Sequence, residues 1–285
     1  MSQDSGPRSP QKPFNDPRAD VILRSSDNVD FRTFKAILFS SSSIFDDMFS
    51  IPQPSTAPVE DVPVVEMEES ARILELLLRF CHPGENPEME TFEDARDVLV
   101  VAMKYEMGFV AKAAQIRLLE LGHDEPVRVY ALACIHMVHD LAHDAARLAL
   151  QVPEDDLLPT DHVTLHPEYS SVSLKAFVQL VSFHRRCSAS LDLLVDGNFN
   201  GLVRPGVASC YNCGNPPFWW QEFKKTAKQK LKSRPCSETI DSWAYFPLYT
   251  CTSCKPQPTD MMKYIVKLRE FIKDRVNQVP LDIDF

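Results

Sequence analysis

Two pairs of cysteines, Cys210-Tyr211-Asn212-Cys213 and Cys251-Thr252-Ser253-Cys254, carry the sharpest chemical signal in this sequence. A two-residue gap lets a tight turn aim both sulfurs of a pair at one point, and two such pairs complete the tetrahedral shell of a zinc ion. Gly214 after the first pair and Pro256 after the second suit turns. The 37 residues between Cys213 and Cys251 exceed the usual zinc-ribbon separation of about 15 to 20. A redox dithiol would need thioredoxin-like βαβ surroundings, which neither pair has. A catalytic zinc would leave an open position and need a base beside it. The pattern points to a structural zinc held by Cys210, Cys213, Cys251 and Cys254, with ordinary packed or surface thiols as the alternative. Cys187, Cys236 and His184 stand either as substitute ligands or as core residues.

Other candidate chemistry is weaker. His139 and His143 are four residues apart on a helical pattern, with His136 close by, but no HExxH glutamate lies between them. A solvated helix face accounts for them as well. His162 and His166 have no catalytic partners in sequence. Segment 224–234 holds Lys224, Lys225, Lys228, Lys230, Lys232 and Arg234. It reads as a nuclear signal or nucleic-acid contact, or as one wet face of a helix. Trp219 and Trp220 could stack on bases, or pack a small core beside the cysteines. Neither GxGxxG nor GxxxxGK occurs, and only 8 glycines are present to build phosphate loops. GxSxG is missing as well, so an enzyme is not expected.

Charge and hydropathy narrow the classes further. Residues 1–200 hold 17 basic and 32 acidic side chains, whereas 201–285 hold 13 and 8. The acidic front two-thirds opposes nucleic-acid binding there. No run of eighteen apolar residues exists, so no membrane span is expected. The first residues lack the apolar core of a secretion signal, which implies the cytosol or nucleus, where thiols stay reduced.

The elements that must position these groups follow from periodicity. Residues 1–18, with Pro7, Pro10, Pro13 and Pro17 among polar neighbours, read as a disordered arm. Residues 19–23 and 29–31 read as the two strands of a hairpin around a turn at 25–28. A short helix follows at 33–39. A second starts near Ser43, with Ile44, Phe45, Met48 and Phe49 on one face. The proline-rich stretch 50–63 is a loop before a strand at 64–67. Residues 69–81 form a helix apolar nearly all round, hence expected in the core. Phe92, Ala95, Val98, Leu99, Ala102 and Met103 stripe the next helix, and a last one runs to about 121.

This order, strand–strand–helix–helix–strand–helix–helix–helix, is that of the BTB/POZ fold, and local motifs agree. Asp20-Val21 resembles the family's opening D-V. Phe31-Arg32-Thr33-Phe34-Lys35-Ala36-Ile37-Leu38 resembles F-x-x-H-K-x-x-L, with Phe34 where the family has His. Ser43-Ile44-Phe45-Asp46-Asp47-Met48-Phe49 resembles S-x-x-F-x-x-M-F, Cys81-His82-Pro83-Gly84 resembles Y-P-G, and Ala102-Met103-Lys104-Tyr105 resembles A-x-K-Y. The spacing is most similar to that of fungal BTB-domain proteins. The resemblance implies a protein-interaction role: self-association as a homodimer, or recruitment of protein partners, including cullin-type ubiquitin-ligase scaffolds. It places interaction residues at Asp20, Phe34, Lys35, Phe45, Met48 and Phe49. Two departures bear on partners. Long-form BTB dimers use an N-terminal helix, which prolines break here. Cullin adaptors often carry a hydrophobic-x-Glu motif where this chain has Ser50-Ile51-Pro52.

Beyond 121 the chain reads as mainly helical. Val127, Tyr130, Ala131, Cys134 and Val138, continued by Leu141 and Ala145, make the face of a helical pair over 125–151. A linker spans 152–172. The helix after it sets Phe177, Val178, Val181 and His184 on one side, and Tyr264, Ile265, Leu268, Ile272 and Val276 stripe a closing helix. The expected organisation is α+β: an arm (1–18), a BTB/POZ fold with a small sheet flanked by helices (19–121), a helical extension (122–200), and a cysteine-containing helical module (201–285). The reading is a non-enzymatic interaction protein, with a nucleic-acid-binding regulator using the basic tail as the alternative.

Overall fold

The computed structural model describes residues 13–51, 62–84, 86–158, 166–196, 218–240 and 258–285. The chain divides into two compact units, Met1–Asp124 and Glu125–Phe285. Among the described residues, no helix is long and apolar enough to cross a membrane.

The first unit is built on a three-stranded sheet. Strand β1 (Val21–Arg24) pairs antiparallel with β2 (Asp30–Thr33), in a register that sets Val21 opposite Thr33 and Leu23 opposite Phe31. The connecting turn closes with Ser25 N–H donating to the Val29 carbonyl at 3.0 Å. Asn28 takes φ 65°, a conformation asparagine tolerates better than most residues. Strand β3 (Val64–Glu66) adds in parallel on the other side of β1, giving the order β2-β1-β3. Val21, Ile22 and Leu23 are all buried, so the central strand is covered on both faces.

Two short helices follow the hairpin, α1 (Lys35–Ser41) and α2 (Ser43–Ser50). The single residue between them, Ser42, is extended (φ −154°), which ends one helix and starts the other. Its Oγ accepts from Phe45 N–H at 3.1 Å and donates to the Tyr105 carbonyl at 2.5 Å. One serine thus caps α2 and ties it to the far end of the unit.

Helix α3 (Ala71–Cys81) buries Ile73, Leu74, Leu77, Leu78 and Phe80. It is amphipathic, which corrects the expectation of a helix apolar all round. Arg72, Glu75 and Arg79 share its other side; Arg72 pairs with the buried Asp94 carboxylate at 2.5 Å and Arg79 pairs with Glu75 at 2.6 Å. Helix α4 (Phe92–Lys104) starts on Thr91, whose hydroxyl accepts from Asp94 N–H, and buries the expected stripe up to Ala102 but leaves Met103 exposed. Helix α5 (Gly108–Leu121) closes the unit against α4.

The end of the N-terminal arm differs from expectation. Residues 13–18 are turns packed on the sheet, and Phe14 is fully buried. Its ring meets Phe31 and His82 edge-on at 5.5 and 5.0 Å, and the Arg79 guanidinium lies 5.7 Å from its centroid. The Phe14 carbonyl accepts from Arg32 N–H at 3.0 Å, satisfying a donor of β2. Prolines preclude a helix here, but not the burial of one aromatic between them.

In the second unit, helix α6 (Pro126–Ile135) is buried at every position from Pro126 to Cys134. Its charge is neutralised locally: Arg128 sits 3.3 Å from the equally buried Glu168 of helix α8 (Pro167–Ser171). Helix α7 (His139–Leu148) packs its Leu141, Ala142, Ala145 and Ala146 face against α6. The long helix α9 (Leu174–Asp196) lies against helices α10 (Phe218–Ser233) and α11 (Pro258–Asn277). The expected division between 200 and 201 therefore falls inside one compact unit. Helix α11 buries Tyr264, Leu268, Ile272 and Val276 of the stripe read from its sequence and leaves Ile265 half-buried.

The face of α9 also differs from expectation. It buries Ala176, Leu180, Phe183, His184, Cys187 and Leu191, whereas Leu174 and Val178 are 78% and 59% exposed. Contacts with α6, α10 and α11 cover the buried side, and Tyr130 O–H of α6 donates to the Ala176 carbonyl at 3.0 Å.

Candidate interaction surface

The six residues expected to make contacts divide into supports and surface. Asp20 Oδ1 accepts from Lys35 N–H at 2.7 Å, so it caps the first turn of α1 from the strand side. Phe45 is fully buried and stacks on Tyr105 with ring centroids 4.9 Å apart. Its place is the core that holds α2. Phe34, at the start of α1, is half-buried, as are Lys35, Met48 and Phe49.

The half-buried members meet side chains that sequence reasoning missed. Phe39 of α1 is 39% exposed and its ring lies 5.8 Å from that of Phe49 on α2. Ile51, directly after α2, is 62% exposed. Lys35 places its ammonium 5.3 Å from the Phe49 centroid, so a cation borders the aromatic cluster. The surface is thus Lys35, Phe39, Met48, Phe49 and Ile51. Neither Phe39 nor Ile51 was picked out from sequence, because exposure depends on how α1 and α2 turn against each other at Ser42.

The Tyr105 ring that stacks on Phe45 is itself held by a charged cluster. Glu69 is buried and accepts from Tyr105 O–H at 3.0 Å and from Lys104 at 2.8 Å. Burial first, then the Glu69 charge, pushes the Tyr105 phenol up to about 12. Hydrogen bonds to Glu68 and Glu69 outweigh the burial of Lys104 and raise its ammonium well above the ordinary range. Tyr105 stays neutral and Lys104 charged at neutral pH, so the two position α4 rather than exchange protons.

Residues 12–120 match the family model of the BTB/POZ domain. This stretch is a BTB/POZ domain. The match begins before Phe14, which agrees with the burial of that residue in the sheet. The BTB/POZ domain is a module for self-association and protein–protein contact. No curated protein matches the chain.

The expected zinc ligands Cys210, Cys213, Cys251 and Cys254 lie outside the described residues. Among the described residues, no group of three or more His, Cys, Asp or Glu side chains is arranged to hold a metal. The substitute ligands are core groups: Cys187 and Cys236 are buried thiols, and burial pushes Cys187 up to about 12. The His139 ring lies against Phe285 at 4.3 Å. In the basic stretch of α10, Phe223, Ala227 and Leu231 face inward, and Lys225, Lys232 and Arg234 face solvent.

Proposed function

We propose that this protein works by binding proteins, through self-association on the α1–α2 face of its BTB/POZ domain, and that it acts as an adaptor in the cytosol or nucleus without catalysis of its own. The observation that carries this reading is the pair of exposed side chains Phe39 and Ile51 with half-buried Phe49, beside Lys35. Aromatic and aliphatic anchors with a bordering cation are what interface centres are made of. Residues 13–18 pack on their own sheet, which supports face-to-face contact over exchange of an N-terminal helix. Recruitment of a cullin-type scaffold has less support, because Ser50-Ile51-Pro52 carries no glutamate in register. Light scattering on the full chain beside its Ile51→Glu variant tests the reading, with association expected in the first and lost in the second.

A structural zinc on Cys210, Cys213, Cys251 and Cys254 belongs to the same reading, as a staple of the second unit. Cys213 precedes Phe218 of α10 by five residues, and Cys254 precedes Pro258 of α11 by four. Five residues reach at most about 18 Å. Phe223 and Tyr264 pack edge-on at 6.1 Å, which brings the two helices together near those ends and supports the reading. Elemental analysis should find one zinc per chain, lost in Cys251→Ser together with thermal stability. Metal-free wild-type protein would refute the site.

A further inference from the structure

The outer side of α9 forms an open groove of about 540 Å³ in the second unit. Its floor is Leu158, Leu174, Phe177, Val178 and Val181, and Phe177 is held by the Tyr169 ring at 6.2 Å. The lining runs on to Ala189, so it follows α9 for about four turns, or ~23 Å at 1.5 Å per residue. That length and open shape fit another helix better than a compact metabolite.

Charge selects the occupant. Among the described residues, the ionic groups that line the groove are Arg185 and Arg186. Arg185 is bound to Glu154 at 2.5 Å. Arg186 is exposed and has no ionic partner among the described residues. Lys175, beside the other end, pairs with Asp284. The free positive charge thus sits at one end of an apolar trough. From this we infer that the α9 groove docks an acidic amphipathic helix of a partner protein, its apolar stripe against Val178 and Val181 and a carboxylate on Arg186. An Arg–carboxylate contact there fixes the helix direction as well as its charge preference.

The test uses the full chain and a fluorescent helical peptide of about 15 residues, with leucines at heptad spacing and glutamates on the remaining positions, beside a version carrying lysines instead. Fluorescence anisotropy should show binding of the glutamate peptide and about tenfold weaker binding of the lysine peptide. Val178→Asp should abolish binding, and Arg186→Glu should reverse the preference. Both positions are exposed, and unchanged circular dichroism melts would establish that the variants fold. No binding of the glutamate peptide, or an unchanged preference in Arg186→Glu, overturns the inference. So does a Val178→Asp effect on the chain's own oligomeric mass, since the occupant would then be a second copy. Loss of self-association in Ile51→Glu leaves groove binding unaffected, so the two proposals fail separately.

Discussion

Phe14 shows how much one side chain outside a recognisable element can decide. It closes the sheet against Phe31 and His82, and its carbonyl satisfies a donor of β2. Truncation would remove buried ring area and leave a cavity that its neighbours fill only in part. Phe14→Ala should destabilise the first unit by about 3–5 kcal/mol, read from denaturant unfolding. A loss under about 1 kcal/mol would mean that the segment is not part of the core. The sequence hid this role because Pro13 and Pro17 mark a break in regular structure, and a break says nothing about whether an aromatic between prolines is buried. Ser42 was legible only as a helix start. Its bond to the Tyr105 carbonyl spans 63 residues and leaves no local trace.

At the scale of elements, local patterning recovered most of the BTB/POZ domain. Alternation and turn residues marked β1 and β2, and 3.6-residue stripes marked α2 and α4. It failed at α9 for a physical reason. That helix carries apolar residues on two sides, so periodicity offers two stripes, and packing against α6, α10 and α11 selects the inner one. The choice buries His184, whose Nε2 donates to the Val152 carbonyl at 3.1 Å while Nδ1 has no partner among the described residues. Burial is the main cause that holds its pKa below the ordinary 6.5. The unfolded chain then binds a proton that the folded chain resists. Stability is complete above about pH 6.5 and falls as pH drops from there toward the folded value. Thermal melts at pH 7, 6 and 5 should show this loss, and His184→Gln should flatten it. Equal slopes in both proteins would remove His184 as the cause.

For the whole molecule, the motif order was enough to place one domain, because many short motifs in sequence constrain a fold jointly where none does alone. The candidate surface was legible in part. Phe49, Met48 and Lys35 were named from motif positions, whereas Phe39 and Ile51 became visible only as exposed side chains. The second unit was read as helices without a packing scheme, since amphipathic stripes specify which residues turn inward and not which helices meet. The chain has two compact units, and the first presents Phe39 and half-buried Phe49 side by side at its surface.

Self-association through α1–α2 can be read from the light-scattering mass of the full chain over a concentration series, measured for wild type and Ile51→Glu. The wild type should rise from the mass of one chain toward that of two, and the variant should stay at one while keeping the same thermal melt. A wild type that remains a single chain throughout, or a variant that associates equally well, would contradict it.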